Sequence, residues 1–170
     1  MKNSNSPEEH KFDLIDTPEA LERFAKLHKE AEWLGFDTEF IGERRFYTLL
    51  CLIQVSSVHG YYIIDAIKLK KLDPLFDLLT DENIIKITHA GENDYRLLYQ
   101  QYKLIPKNLF DTQIAAGFVG YRYPLSFAKL VGRETNHRLG KGFTVSNWES
   151  RPLTDKQIKY ALEDLSLIHI

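Results

Sequence analysis

Three acid pairs spaced two apart, Glu30/Glu32, Asp37/Glu39 and Glu92/Asp94, are the first residues whose types could do chemistry. With 24 acidic side chains in 170 residues, such pairs also arise by chance. Asp37/Glu39 stands apart by its surroundings, since Trp33-Leu34-Gly35-Phe36 precede it and Phe40-Ile41 follow. Residues two apart on a strand share a face, so both carboxylates point one way and Phe36, Thr38 and Phe40 the other. Two like charges held together in apolar surroundings repel and are poorly solvated unless a cation joins them. Paired carboxylate oxygens are the ligand type for Mg²⁺ or Mn²⁺. A solvated surface pair fits the spacing as well, and both alternatives stand at this point.

Asp94 falls on the first turn of an expected helix, where a carboxylate can be a terminal charge and nothing more. His89 closes the strand before it and reads as a structural group. Tyr160 and Asp164, four apart on the last helix, are neighbours on one face, nearly opposite the stripe of Ile158, Leu162 and Leu165. A final constellation is basic. Residues 122–151 carry 6 basic and 2 acidic side chains, net 6 − 2 = +4, interleaved with Tyr121, Tyr123, Phe127, His137, Phe143 and Trp148. Cations among aromatics suit a polyanion whose bases can stack, and they also suit an ordinary solvated loop.

The elements that must position these groups follow from pattern. Residues 1–11 read as a frayed tail. Thr17-Pro18 is an N-cap and first helical position. WLGFDTEFIG, YTLLCLIQVSS and YYIIDA are three short-linked strands expected to be antiparallel neighbours. Asp73-Pro74 is an N-cap signal for a second helix, and NIIKITHA is a fourth strand leading into a helix from about Glu92. The rest reads as mainly helical, and Thr154 to Gln157 is a capping box opening the last helix. Strands in meander order followed by helix–strand–helix alternation predict one α/β domain with a mixed sheet.

Composition limits the function classes. With 22 basic and 24 acidic residues the net charge is −2, which excludes nucleic-acid binding through bulk charge alone. A hydrophobic share of 44% is enough for a core. One cysteine, Cys51, forms no internal disulfide, and there is no apolar leader or 18-residue apolar run, so the expectation is a soluble cytoplasmic chain with no membrane partner.

Taken together and in order, FDTEF, HAGEND and YALED resemble the three exonuclease motifs of the DEDD superfamily, Tyr subtype, and most of all the catalytic domain of the ribonuclease D family. Leu52-Ile53-Gln54, FDTQIAAGFVGY at 110–121 and WESRPLTDKQIKYALED at 148–164 are similar too. The resemblance runs from about Phe12 to the last residue. In the His subtype a histidine would stand five before the final Asp, where this chain has Lys159.

The resemblance implies a ribonuclease H-like fold, with a mixed five-stranded sheet flanked by helices, as a domain over 12–170. It implies hydrolysis of nucleotides from the 3′ end of a nucleic acid, RNA favoured, with DNA ends or a non-catalytic binding module as alternatives. Asp37, Glu39, Asp94 and Asp164 match four acids that hold two divalent cations, Mg²⁺ or Mn²⁺, and Tyr160 matches the catalytic tyrosine. With an unperturbed pKa near 10, Tyr160 is a poor base at neutral pH and is assigned to orienting the attacking water. Arg138, Lys141, Trp148 and Arg151 are the expected nucleic-acid contacts. The chain stops six residues past Asp164, before the helical domains of ribonuclease D. Leu165, Leu167, Ile168 and Ile170 suggest a trimmed domain or an end buried by another chain, as in a dimer.

Overall fold

The apolar run after Thr48 becomes the centre of the sheet, because a strand covered on both faces can be hydrophobic at every position. In the computed structural model this is β3 (Leu49–Ser57), buried throughout except at its ends. The structure describes residues 11–42, 45–136, 139, 147–166 and 168, with the side chains of Asp164 and Ser166 outside the description. β3 pairs antiparallel with β2 (Trp33–Ile41) and β4 (Gly60–Asp65), the expected meander. β5 (Ile85–Thr88) runs parallel to β2.

The sheet has six strands, one more than expected. β1 (Phe12–Ile15) pairs parallel with β4, and β6 (Leu109–Asp111) pairs parallel with β5, giving the order β1-β4-β3-β2-β5-β6. Both are short edge strands of four and three residues, too short and too exposed to show a period.

Helices cover the two faces. α1 (Pro18–His28) opens as expected, with the Thr17 hydroxyl accepting the Ala20 N–H at 3.2 Å. α2 (Asp73–Thr80) starts one residue earlier than its signal, so Asp73 sits inside the first turn and not at the cap. With α3 (Glu92–Tyr102) these helices bury Leu21, Phe24, Leu75, Leu97 and Leu98 against Phe36, Ile53, Val55 and Ile64. On the opposite face α6 (Asp155–Ser166) packs across β2, β3 and β4, with Ala161 and Leu162 against Leu52, Ile63 and Trp148. Its capping box forms as expected: Thr154 N–H donates to Gln157 Oε1 at 2.9 Å, and Gln157 N–H donates to Thr154 Oγ1 at 3.3 Å. α4 (Thr112–Phe118) and α5 (Phe127–Glu134) lie beyond β6.

Two apolar residues near the C-terminus are covered by this chain. Leu165 and Ile168 are buried, and Ile168 presses so closely on Gly35 that a Cβ there would stand 2.5 Å from Ile168 Cγ2. For these two residues the expectation of burial by another chain is corrected; Leu167 and Ile170 lie outside the described residues. No helix of the described residues is long and apolar enough to cross a membrane.

Candidate active site

Every motif reaches β2. Glu39 stands opposite Leu52, and Asp37 opposite Gln54, which itself faces Ile63. Directly opposed residues share a face. Because Leu52 and Ile63 pack with α6, the two half-buried carboxylates lie on the α6 side. Thr38, between them, is buried on the other side with Phe36. Phe40 is in phase with both yet 38% exposed. A bulge explains where the order breaks: Glu39 pairs with Leu52 but Phe40 with Leu50, so Cys51 has no partner on β2.

Asp94 comes to this strand through the first turn of α3, and the Thr38 hydroxyl donates to Asp94 Oδ1. That bond joins two motifs 56 residues apart in sequence. The turn before α3 is fixed at several points. Ala90 has a φ of 57°, and Asp111 accepts the N–H groups of Ala90 at 3.1 Å and Gly91 at 3.0 Å. The same carboxylate caps α4 by accepting from Gln113 at 2.8 Å and Ile114 at 3.4 Å. Gly91 is demanded by close approach, since a Cβ would stand 2.6 Å from the Tyr95 hydroxyl and 2.7 Å from Thr88 Oγ1. Those two hydroxyls hydrogen-bond each other. His89 is structural: Nε2 donates to the Leu125 carbonyl and Nδ1 meets the Thr112 hydroxyl, both at 2.9 Å. Burial lowers its pKa.

Asp94 is 7% exposed, and burial pushes its carboxyl up to about 6. The Thr38 hydroxyl and the N–H groups of Asp94 and Thr38 pull the other way and lose. A carboxyl so placed gains from a nearby cation. Among the described residues, however, no three His, Cys, Asp or Glu side chains stand together as an ion cage. The donor set fits Mg²⁺ or Mn²⁺ in being all carboxylate, and a complete site would draw on the Asp164 side chain, outside the described residues.

Tyr160 is half-buried on α6, within the cluster formed by Cys51, Leu52, Ile63, Trp148 and Leu162, its ring centroid 6.0 Å from that of Trp148. The helix face that carries it therefore looks inward. Asp164 follows one turn later on the same helix.

Two expected nucleic-acid contacts are committed elsewhere. Trp148 is 5% exposed and fills the core beneath α6. Arg151 grips Asp65 with Nε at 2.6 Å and Nη2 at 2.8 Å, and donates to the carbonyls of Trp148, Ser150 and Cys51. Its guanidinium thus serves the carbonyl of the bulged Cys51 and is corrected from a nucleic-acid contact to a structural clamp. Arg138 and Lys141 lie outside the described residues. Sequence reasoning missed Thr38 and Asp111 as positioning groups; their place inside FDTEF and FDTQIAAGFVGY was the available signal.

The chain matches the family model described as "3′-5′ exonuclease" over residues 12–169. It is 40% identical over 153 residues to a ribonuclease D of Desulfotalea psychrophila, covering 89% of this chain and 41% of that protein. The structure of Escherichia coli RNase D, an exoribonuclease involved in structured RNA processing, superposes with a TM-score of 0.87 at 32% identity, over 91% of this chain and 41% of that one. Brucella melitensis NrnC bound to pGG superposes with a TM-score of 0.77 at 25% identity, over 94% and 76%. The chain thus spans about two fifths of the length of the ribonuclease D relatives it matches.

Proposed function

The chain belongs to the 3′-5′ exonuclease family, and from that premise we propose that it removes nucleotides one at a time from the 3′ end of RNA with two divalent cations, Mg²⁺ or Mn²⁺. One observation carries the reading: the hydrogen bond from Thr38 to Asp94 brings the HAGEND turn onto the strand that bears Asp37 and Glu39. Asp37, Glu39, Asp94 and Asp164 would hold the cations. Those ions supply, when bound, an activated water and stabilisation of the departing 3′ oxygen.

The chain's own residues do the remaining work. Asp37 and Glu39 sit on a central strand, so the backbone fixes where their side chains start, and the carboxylates turn from there about their own side-chain bonds. Tyr160 packs beside Trp148, and its hydroxyl would orient the attacking water by hydrogen bonding. The Thr38 hydroxyl, with the N–H groups of Thr38 and Asp94, holds the buried Asp94 carboxylate against β2. RNA is favoured over DNA because ribonucleases D are among the relatives the chain matches, at 40% and 35% identity.

The experiment is incubation of the protein with 5′-labelled single-stranded RNA, the matching DNA, and a dinucleotide, with Mg²⁺ or Mn²⁺ and in excess chelator. The expected outcome is a ladder shortened from the 3′ end on RNA, abolished by chelator. Digestion of DNA alone would move the substrate to DNA ends, attack on the dinucleotide alone would restrict it to short oligonucleotides, and binding without hydrolysis would make the domain a nucleic-acid-binding module.

A further inference from the structure

Gln54 is fully buried, and neither its Nε2 nor its Oε1 makes a hydrogen bond among the described residues. Such a group is rare in folded proteins, because an amide taken out of water without a partner carries its full desolvation penalty. A methionine or leucine would occupy the same volume with no polar atom left over. The side chain also has a telling address. On one side Gln54 is in register with Asp37 of β2, on the other with Ile63 of β4, and this row of the sheet lies under α6. Directly opposed strand residues bring their Cβ atoms within about 4.5–5.5 Å, which a carboxamide spans.

We propose that Gln54 is a positioning residue for Asp37, its carboxamide N–H donating to the Asp37 carboxylate when cations draw that carboxylate into its ligating orientation. This rests on the cation-dependent reading above. The penalty of the buried amide is then offset only in the loaded site, and the protein holds a donor ready for a carboxylate that must keep one rotamer. Ser56 supplies an internal control. Its Oγ is also buried without a partner among the described residues, on the same face of the same strand, but it stands opposite Gly35, which offers no carboxylate.

The test uses the full chain stripped of metal, with Gln54→Met and Ser56→Ala beside the wild type. Two quantities are read: the melting temperature in chelator, and the affinity for Mn²⁺ by calorimetry without nucleic acid. Gln54→Met is expected to melt at or above the wild-type temperature in chelator while binding Mn²⁺ about tenfold to a hundredfold more weakly, the value of one hydrogen bond to a charged group. Ser56→Ala is expected to match it in melting and to bind Mn²⁺ as the wild type does. Equal Mn²⁺ affinity in Gln54→Met overturns the proposal. So does a lower melting temperature of Gln54→Met in chelator, which would mean that the amide already has a partner in the cation-free fold. A wild type that binds no Mn²⁺ refutes the cation-dependent reading itself, a result separate from either of these.

Discussion

Replacing Thr38 by valine removes the hydroxyl that donates to Asp94 and keeps the shape of the side chain. A hydrogen bond to an ionised carboxylate is worth about 1.5–3 kcal/mol, and 1.36 kcal/mol corresponds to one pKa unit. The Asp94 carboxyl, already raised to about 6 by burial, should therefore move to roughly 7–8 in the variant. At pH 7 its ionised fraction falls from about nine tenths to between roughly a half and a tenth. Stability in chelator follows with a definite sign. The folded carboxyl keeps its proton to a higher pH than the unfolded one, so its stabilising contribution is complete below the unfolded value near 4. That contribution is lost as pH rises to about 6, on the order of 3 kcal/mol in all. In Thr38→Val the loss should continue to roughly pH 7–8. Carbon-13 NMR of the aspartate carboxyls and melting temperature against pH, both in chelator, measure this. An Asp94 carboxyl that titrates at or below the wild-type value in Thr38→Val would refute the reasoning.

Tyr160→Phe keeps the ring that packs beside Trp148, so folding and Mn²⁺ affinity should survive while turnover on RNA drops by roughly 10²–10⁴-fold, the range for a positioned proton-transfer group; near-normal turnover would make the tyrosine structural. Arg151→Met strands the Asp65 carboxylate, whose side chain is 2% exposed, and should cost about 3–5 kcal/mol, or roughly 6–20 °C in melting temperature. Burial pushes Asp65 upward, but Arg151 together with the N–H groups of Lys68 and Ile67 outweighs it, so the contribution is present above the unfolded carboxylate pKa and lost as pH falls through the lower folded value. The melting profile of the variant should be flatter in acid, and an unchanged melting temperature with a reduced salt slope for RNA would return Arg151 to the nucleic-acid contacts. Gly91→Ala drives a methyl toward the Thr88 and Tyr95 hydroxyls and should destabilise by about 1–3 kcal/mol, measured by denaturant unfolding.

What was legible in the sequence is what repeats or caps. The meander of β2, β3 and β4 announces itself through apolar runs and short links, and the Thr17 cap and the Thr154–Gln157 box form as written. β1 and β6 were invisible because each exists only by pairing with a strand far away in sequence. Alternation correctly separated Asp37 and Glu39 from Thr38, yet it had no means of finding that Thr38 reaches Asp94, since that contact belongs to the crossing of two elements. The basic–aromatic stretch misled for a similar reason. Composition records that Arg151 and Trp148 are present, while tertiary packing decides that one clamps Asp65 and the other fills the core.

The clamp of Arg151 on Asp65 has a consequence for motion as well as for stability. It ties the segment just before α6 to the end of β4, while the capping box and the buried Ala161, Leu162 and Leu165 hold the helix itself. Since Tyr160 and Asp164 both ride on that one helix, the helix is a natural cooperative unit of local opening, distinct from the sheet and the three helices behind it. Its release would disarm the site in a single event and leave the acids of β2 and α3 in place. Amide protons of α6 should accordingly exchange as a group, with a protection that Arg151→Met lowers while that of β3 changes less.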